Sequence, residues 1–429
     1  MANSRNSVDA IVVGGGLAGL ACANDLTAAG LSVRLLEAAD RPGGRVRTDV
    51  VDGYRLDRGF QVLLEAYPEC RARLDYEALD LKRFYAGALV RVDGAFHRFA
   101  DPGTEVLDAI RSATNPVGTL ADKLRAARVA RELREGDPEG LLERDAPSTL
   151  ELLREEGFSD RMINQFFRPF FGGVLLDREL GVSGRLFRYY FRMFADGRTS
   201  VPAEGMEAIP RQLASQLPGG SISTRTHVRS VAPSRVEIAD GDTIRADFVV
   251  VAVEGPEAAR LLNGEVHDPG SRGVHCLYFD APEPPMDEGI LMVNGEGRGP
   301  VNNVAVMSEV APGYAPPDRS LISTTVVGAN GLDTSDLERA VLVQMKEWFG
   351  PRVEDWRALR HYHIPHAQPL QTPEKMTTAR RPVRLERGLY VCGDHRDNAS
   401  LNGALASGGR AAQSALMDRG SLELAGSAA

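Results

Sequence analysis

The chain has 429 residues, of which 43% are hydrophobic and 25% charged, an ordinary globular composition with room for two or three domains. Its net charge of -9, with no basic stripe to offset it, argues against a nucleic-acid partner. The first seven residues lack the apolar core of a signal peptide, and no run approaches the roughly 18 apolar residues of a membrane-spanning helix. We therefore predict a cytoplasmic protein without a transmembrane segment.

The cysteines are few and widely separated, and no C-x-x-C pair occurs, so neither a zinc site nor a disulfide framework is indicated. They are Cys22, Cys70, Cys276 and Cys392. We interpret Cys392, which lies in an apolar strand, as a small packed residue rather than a covalent anchor. We predict no metal.

A glycine-rich turn follows the first buried strand, at residues 10–13. Gly14, Gly16 and Gly19 fill the G-x-G-x-x-G positions, which serve a tight turn, close approach to a pyrophosphate and helix packing, respectively. A helix is predicted over 17–29 and a second strand over 32–36, and this strand ends at Glu37. A carboxylate at this spacing accepts hydrogen bonds from ribose hydroxyls, so the pattern predicts a dinucleotide site.

A second glycine loop, R-P-G-G-R at residues 41–45, adds an arginine that can neutralise a pyrophosphate. Asp-Gly hairpins are predicted next, at 47–56 and 88–99. The stretch from 103 to 194 is mainly helical, with segments near 119–134, 149–157, 160–171 and 183–194. Ser148 and Glu151 form a capping-box pattern.

The aromatic cluster at residues 166–171 has two interpretations. Its phenylalanines can pack between helices, or they can form the wall of a hydrophobic substrate tunnel or a surface that contacts a membrane. Beyond the cluster, strands are predicted at 221–225, 227–232 and 248–253, with a hairpin about Asp240-Gly241 and a helix near 256–262.

Residues 266–372 predict a mostly antiparallel sheet with one long helix. Its strands are predicted at 273–279, 289–293, 303–307 and 320–327, and Ser335 with Glu338 is expected to cap the helix that runs to Phe349. His361, His363 and His366 follow. Strand alternation places the first two on one face, and Pro365 is expected to interrupt the strand. The histidines are either polar groups of the cavity or ordinary edge residues, and a metal site is the weakest interpretation.

The C-terminal region contains a further strand, glycine turn and helix in succession. A strand at 388–393 ends at Gly393-Asp394, and a helix of small residues follows. Together with the G-x-G-x-x-G, Glu37 and G-G-R elements, this pattern resembles the flavin-containing amine oxidoreductase superfamily, on the phytoene desaturase and protoporphyrinogen oxidase side. The resemblance implies FAD as cofactor.

The resemblance also implies a fold class: an α/β fold with a Rossmann-like FAD-binding domain, of the glutathione-reductase and amine-oxidase type, and an inserted α+β substrate domain. The FAD domain would comprise residues 1–85, 203–265 and 373–429. The substrate domain would comprise residues 86–202 and 266–372.

The resemblance further predicts the residues around FAD, with the backbone of Val228 at the adenine and the amides of 400–402 at the flavin. These residues are Gly14, Gly16, Leu17, Ala18, Gly19, Glu37, Ala38, Gly43, Gly44, Arg45, Gly59, Phe60, Gln61, Val228, Gly393, Asp394, Ser400, Leu401 and Asn402. No catalytic residue is assigned. Gln61, His363 and His366 are candidates to line the cavity.

The predicted function is FAD-dependent hydride transfer from a hydrophobic small molecule to flavin N5, with oxygen or a quinone as candidate acceptor. An amine or amino-acid oxidase that releases hydrogen peroxide is the first alternative. Two departures weaken it: no lysine falls in a suitable strand, and His395 stands where a cage aromatic is expected. The remaining alternatives are a non-redox isomerase or cyclase and a binding protein that keeps FAD for a structural purpose. Peripheral membrane contact is a further alternative.

Overall fold

A computed structural model describes residues 7–100, 115–328 and 333–426. Its strands are β1 (Ser7–Val13), β2 (Val33–Leu36), β3 (Thr48–Val51), β4 (Tyr54–Asp57), β5 (Leu63–Leu64), β6 (Leu81–Arg83), β7 (Gly87–Val92), β8 (Ala95–Ala100), β9 (Thr199–Pro202), β10 (Ile222–Ser223), β11 (Val228–Ala232), β12 (Arg235–Ile238), β13 (Thr243–Val251), β14 (Ser271–Ala281), β15 (Leu291–Val293), β16 (Val301–Val306), β17 (Ser320–Val327), β18 (Arg357–Pro369), β19 (Arg384–Glu386) and β20 (Leu389–Val391).

The α-helices within the described residues range from single turns to the long C-terminal helix. They are Leu17–Ala28, Pro68–Arg73, Leu120–Leu133, Gly140–Glu143, Thr149–Glu155, Asp160–Met162, Arg168–Val174, Gly184–Asp196, Ala208–Ser215, Gly255–Leu261, Met307–Val310, Thr334–Phe349 and Leu401–Gly426. Predicted helical residues 103–114 lie outside the described part of the chain.

The first large sheet has the strand order β10-β2-β1-β13-β12-β11, and β20 also pairs with β13. Strands β2, β1, β13 and β20 are parallel neighbours, and their Val, Ile and Leu side chains, apart from the half-buried Val8, are buried. Helices Leu17–Ala28 and Leu401–Gly426 cover one face, and residues of β11, β12 and helix Gly255–Leu261 cover the other. The carboxyl ends of the four parallel strands therefore meet at one edge. The turns that follow them begin at Gly14, Glu37, Ala252 and Cys392, and this edge is where open α/β sheets bind ligands.

Strand β13 begins five residues earlier than the predicted strand at 248. Its first half alternates exposed and buried side chains where it pairs with β12, and its last four residues are all buried between β1 and β20. Only the fully buried half carries the continuous apolar signal that the sequence shows.

The second large sheet has the order β18-β14-β17-β16-β15-β7-β8. Every neighbouring pair is antiparallel except β15 and β7, so the predicted mostly antiparallel sheet is confirmed. Helix Thr334–Phe349 packs on it through Leu337, Val341 and Met345, which are buried. The first sheet with its parallel strands and the second, mostly antiparallel sheet with its helix confirm the predicted α/β fold class.

The prediction that Pro365 interrupts its strand is wrong. Strand β18 continues through it because a bulge absorbs the residue: Val274 pairs with Ile364, and Arg272 pairs with Gln368. Three residues of β18 thus face one residue of β14, and a proline without an N–H is tolerated at such a site.

The helix start signals were predicted with mixed success. The capping box of Ser148 and Glu151 is confirmed at helix Thr149–Glu155. The predicted cap at Ser335 is wrong, since Asp333 accepts a hydrogen bond from the Ser335 amide and the helix begins at Thr334. Aspartate and serine are both good N-caps, and sequence alone did not separate them.

The predicted helix at 160–171 contains a π-helical segment, Ile163–Phe167, between the α-helical segments Asp160–Met162 and Arg168–Val174. The Arg168 amide donates to the Ile163 carbonyl, five residues back. Pro169 has no N–H group to donate to the Gln165 carbonyl. The π-helical segment therefore occurs where the proline removes one hydrogen bond of a regular α-helix.

Candidate functional site

An elongated cavity of about 630 Å³ begins at the carboxyl edge of the first sheet and ends between the second sheet and the helices of residues 168–196. Of the predicted cofactor residues, those lining it are Gly14, Gly16, Leu17, Ala18, Glu37, Ala38, Gly43, Gly44, Arg45, Gly59, Phe60, Gln61, Val228, Gly393, Asp394, Ser400 and Leu401. The fold thus brings together residues that are nearly 400 positions apart in the sequence.

The three glycines of the first turn have different steric roles. Gly14 has φ +104°, and a Cβ atom there would lie 2.7 Å from the Ala252 carbonyl oxygen. A Cβ atom at Gly19 would lie 2.0 Å from the Gly14 carbonyl oxygen, so Gly19 lets the helix approach the turn. A Cβ atom at Gly16 would meet nothing within 4 Å and would enter the cavity. Gly16 is therefore kept small by what the cavity holds.

Helix Leu17–Ala28 presents its N-terminus to the cavity. Its N-cap, Gly16, provides no side-chain hydrogen bond, and its first turn has no acidic residue. The first amides of such a helix lack intrahelical acceptors and favour an anion, such as a diphosphate.

Glu37 ends β2 and is held rigidly. Its Oε2 accepts from the Gly15 amide and its Oε1 from the Ala39 amide, both at 2.7 Å. The carboxylate is 9% exposed and has lone pairs left for further donors, as the predicted ribose contact requires.

Arg45 and Asp394 join the two ends of the chain across the cavity. Arg45 Nη2 lies 2.8 Å from Asp394 Oδ2, and its Nη1 donates to the Ala367 carbonyl at 2.8 Å.

The helix of small residues, Leu401–Gly426, packs tightly on Leu17–Ala28. A Cβ atom at Gly408 would lie 2.2 Å from the Ala18 carbonyl oxygen, and the Gly393 amide donates to Ser407 Oγ at 2.9 Å. The small side chains therefore fix the C-terminal turn against the N-terminal one.

Two details of the predicted flavin loop require correction. The Ser400 amide donates to the Asn398 carbonyl at 2.8 Å, so it is not free for a flavin. Asn402 does not line the cavity, since its Oδ1 accepts from the Glu69 amide. Gly19 also lies outside the lining, in keeping with its packing role.

Gln61 lines the cavity with its carbonyl end free. Its Nε2 donates to the Arg45 and Arg58 carbonyls at 2.8 and 3.0 Å. Its Oε1 is buried and has no partner among the described residues. A buried acceptor of this kind fits a group that donates from within the cavity.

His363 and His366 are not among the residues that line this cavity, but each lines a neighbouring pocket that Arg45 also borders. His363 is exposed and stacks on His275 at a ring-centroid distance of 4.3 Å, while His275 Nδ1 lies 2.8 Å from His361 Nε2. His366 Nδ1 lies 2.9 Å from Ser271 Oγ. Burial and the two neighbouring rings lower the pKa of His275 to about 4. The described residues include no group of three or more His, Cys, Asp or Glu side chains arranged for a metal ion.

The phenylalanine cluster divides between core and cavity. Phe166, Phe167 and Phe171 are buried in the core, whereas the half-buried Phe170 lines the cavity. Three of the four phenylalanines thus pack in the core, as one interpretation predicts, and the fourth borders the cavity.

The sequence analysis missed several lining residues. Helix Gly184–Asp196 was predicted, but nothing in its sequence shows which turn faces a cavity that distant elements complete. We define the helical wall as Pro169, Phe170, Val174, Leu176, Tyr190 and Phe194. Opposite lie Asn303 and Thr325 of the second sheet, and Tyr67 lies towards Ser400.

The carboxylates that line the cavity lie at one end of it. The carboxylates among its described lining residues are Glu37, Glu254, Glu257 and Asp394, and all follow strands of the first sheet. The helical wall and the second sheet contribute no carboxylate to it, and no lysine lines it. The end formed by the helical wall and the second sheet can therefore bind an apolar molecule, but it offers no carboxylate as a counter-ion to a cation.

The sequence profile of the family described as flavin containing amine oxidoreductase matches residues 17–416. The chain belongs to this family. Its members are FAD-dependent oxidoreductases, which confirms the predicted cofactor and enzyme class. The open space at Gly16, the unpaired helix amides and the free Gln61 oxygen fit FAD in this cavity.

The curated relatives of this flavin-containing chain have varied activities at low identity. A polyamine oxidase of Oryza sativa is 27% identical over 74% of this chain and 65% of its own length. A coproporphyrinogen III oxidase of Mycobacterium tuberculosis is 26% identical over 59% and 60%, and a phytoene desaturase of Paracoccus is 25% identical over 67% and 65%. The chain thus spans less than two thirds of the length of these relatives.

Solved structures of the family share the fold. A putrescine oxidase variant superposes with a TM-score of 0.71 at 19% identity, covering 96% of this chain and 99% of its own. Cyclohexylamine oxidase from Brevibacterium oxydans has a TM-score of 0.67 at 16% identity, covering 95% and 98%. None of the helices in the described part of the chain is long and apolar enough to cross a membrane.

Proposed function

We propose that this flavin-containing oxidoreductase dehydrogenates a C–H bond of a hydrophobic small molecule. The observation that carries the proposal is the helical wall, whose members are apolar except for the Tyr190 hydroxyl and include no carboxylate. Phe170 and Phe194 pack edge-to-face within it, with ring centroids 5.2 Å apart. Such a surface stabilises an apolar substrate and excludes water from the redox step.

Bound FAD would supply the chemistry by accepting hydride at N5. The chain's own residues then have positioning roles. The amides of helix Leu17–Ala28 and the glycines of the 43–44 loop hold the diphosphate, while Glu37 accepts from the ribose. The ion pair of Arg45 and Asp394 fixes the 41–45 loop against the turn at Gly393. Gln61 Oε1 accepts a hydrogen bond in the cavity.

We also propose that the chain divides by function as the sequence predicts. The first sheet takes its strands from residues 7–36, 222–251 and 384–391, and the second from 87–100, 271–327 and 357–369. These sets agree with an FAD domain of residues 1–85, 203–265 and 373–429 and a substrate domain of residues 86–202 and 266–372.

The test is anaerobic reduction of the FAD-loaded protein. Isoprenoids, porphyrinogens and amines are added separately, and bleaching of the oxidised flavin band is followed. We expect bleaching by an isoprenoid or a porphyrinogen. Bleaching by amines alone would contradict the proposal. Re-oxidation by oxygen or by a quinone then identifies the electron acceptor, since both are candidates.

Amine oxidation is the second candidate, because a polyamine oxidase is among the relatives and a putrescine oxidase shares the fold. The distribution of charge argues against it, since the helical wall presents no carboxylate to an ammonium group. The four lysines, Lys82, Lys123, Lys346 and Lys375, all lie outside the cavity lining. Hydrogen peroxide release with an amine would favour this candidate.

A further inference from the structure

Tyr190 is a polar residue in an otherwise apolar wall. It belongs to helix Gly184–Asp196, lines the cavity and is 2% exposed. Its hydroxyl has no hydrogen-bond partner among the described residues. Burial raises the pKa of Tyr190 well above its usual range, so the phenol stays neutral and keeps its proton. Buried hydroxyls rarely remain unpaired, because losing water without a replacement is costly.

The other uncharged polar groups at this end are paired within the protein. Asn303 Nδ2 donates to Thr325 Oγ1 at 3.2 Å, and Asn303 Oδ1 accepts from Asn302. The Tyr67 hydroxyl interacts with Ser400, which lowers the pKa of Tyr67 while burial raises it. Tyr190 thus differs from these neighbours because its hydroxyl has no hydrogen-bond partner at all among the described residues.

We propose that the Tyr190 hydroxyl donates a hydrogen bond to an uncharged oxygen of the substrate. The substrate class is then an apolar molecule that carries a carbonyl, hydroxyl or ether oxygen, rather than a pure hydrocarbon or a polycation. This inference rests on the proposed function, because it places an apolar substrate against the helical wall.

The chain offers a matched control on the same helix. Tyr189 is also fully buried, and its hydroxyl also has no partner in the described part of the chain, but it does not line the cavity. Its ring stacks on that of Tyr67 at 6.3 Å. Tyr190 therefore borders the cavity, whereas Tyr189 does not.

The experiment compares Tyr190→Phe and Tyr189→Phe with the wild type, each loaded with FAD. The probes are 4-phenyl-2-butanone and butylbenzene, which have the same shape and differ by a carbonyl in place of a methylene. Binding is measured from the perturbation of the oxidised flavin band, without turnover. We expect the wild type to prefer the ketone, and Tyr190→Phe to lose about 5-fold in ketone affinity and none for butylbenzene, the typical effect of one neutral hydrogen bond. Tyr189→Phe should bind both probes as the wild type does.

Three results would overturn the inference. The first is a wild type that does not prefer the ketone, including one that binds neither probe. The second is Tyr190→Phe with unchanged ketone affinity, which would mean that water or packing satisfies the hydroxyl. The third is a changed FAD affinity or resting flavin spectrum in Tyr190→Phe alone, which would make the hydroxyl a flavin ligand. Melting temperatures show that both variants fold, and the anaerobic screen tests the proposed function separately.

Discussion

Glu37 is the residue through which the dinucleotide end is most directly tested. Glu37→Gln leaves one acceptor oxygen for two amides, those of Gly15 and Ala39, and places an NH₂ group against the second. We expect apoprotein carrying this change to bind FAD about 10- to 100-fold more weakly, the usual cost of a hydrogen bond to a charged group. Quenching of FAD fluorescence on titration measures the affinity.

Glu386→Gln is the control, because Glu386 is exposed on β19 and does not line the cavity. It should bind FAD as the wild type does. Equal affinity for Glu37→Gln would remove Glu37 from the cofactor site.

Cys392 carries a prediction about how FAD is held. It is fully buried, and this burial raises the pKa of its thiol to about 12, so the reactive thiolate is absent at neutral pH. We expect the folded protein to leave Cys392 unmodified by a thiol reagent and to release all of its FAD on acid denaturation. Mass spectrometry of the denatured chain checks both points, and a flavin adduct at Cys392 would contradict the packed interpretation.

Residues with a backbone role were easier to predict than residues with a cavity role. The glycines at 14 and 19 could be predicted because a Cβ atom at either would lie within 2.7 Å of a backbone carbonyl oxygen. His363 and Tyr190 carry no comparable signal. Whether a polar side chain on a helix or strand meets a cavity depends on elements that are distant in sequence, so His363 was chosen, although it lines a neighbouring pocket, and Tyr190 was missed.

At the scale of an element, the glycine turn predicts two separable effects. Gly16→Ala should lower the stability of the apoprotein by no more than about 1 kcal/mol, the difference between glycine and alanine at an N-cap. It should weaken FAD binding at least 10-fold, because the methyl group enters the space at the helix N-terminus. Thermal unfolding of the apoprotein and FAD titration give the two numbers.

Gly14→Ala is the matched comparison. Its φ of +104° and the 2.7 Å approach of a Cβ atom to the Ala252 carbonyl make the apoprotein itself unstable, by about 2 kcal/mol or more. If Gly16→Ala unfolded at the same temperature as Gly14→Ala, the space at Gly16 would be structural and not a cofactor cradle.

Whole elements were predicted well where local signals agree and less well where proline stands inside one. Alternation and caps located the hairpins and most helices. Pro365 was expected to interrupt its strand, but β18 continues through it by means of a bulge. The segment 160–171, which contains Pro169, was predicted as an ordinary helix, but it includes a π-helical segment before Arg168. These accommodations depend on pairing partners, which a linear pattern does not contain.

At the scale of the molecule, Asp57 joins the β3–β4 hairpin to the second large sheet. It ends β4 and accepts hydrogen bonds from Thr48 and the Met206 amide, and its Oδ2 accepts from Tyr314 at 2.9 Å. The Tyr278 hydroxyl of β14 donates to its carbonyl at 2.9 Å. Burial raises the pKa of Asp57 to about 6, although these donors lower it.

This buried carboxyl predicts a pH dependence of stability. Between pH 4 and 6 the folded protein holds a proton on Asp57 that the unfolded chain releases, so its contribution falls as the pH rises. Asp57→Asn lacks this proton equilibrium. The unfolding free energy of the wild type relative to Asp57→Asn should therefore fall by about 2 kcal/mol between pH 4 and pH 7, taking the pKa as moving from 3.8 to about 6.

Urea unfolding of the FAD-loaded proteins at pH 4.5, 5.5 and 7, at one FAD concentration, measures the difference. A difference that stayed constant across this range would mean that Asp57 is ionised throughout and that the donors outweigh burial.

The architecture as a whole followed from the two ends of the sequence. Parallel strands that end in glycine or an acid predict one binding edge, and this edge is present. How the middle of the chain closes over it could not be predicted, because the contacts of Asp57, Tyr278 and Tyr314 bring together residues more than 200 positions apart.

The close contact between Gly408 and the Ala18 carbonyl has a consequence for biosynthesis. The strands and glycine turn that form the floor of the cofactor site are translated well before the helix that packs against them. A ribosome-bound chain that ends before residue 400 holds all four parallel strands of the binding edge but lacks the Gly393 turn's anchor at Ser407. We therefore expect FAD to bind stably only after the helix that carries Ser407 and Gly408 has been made.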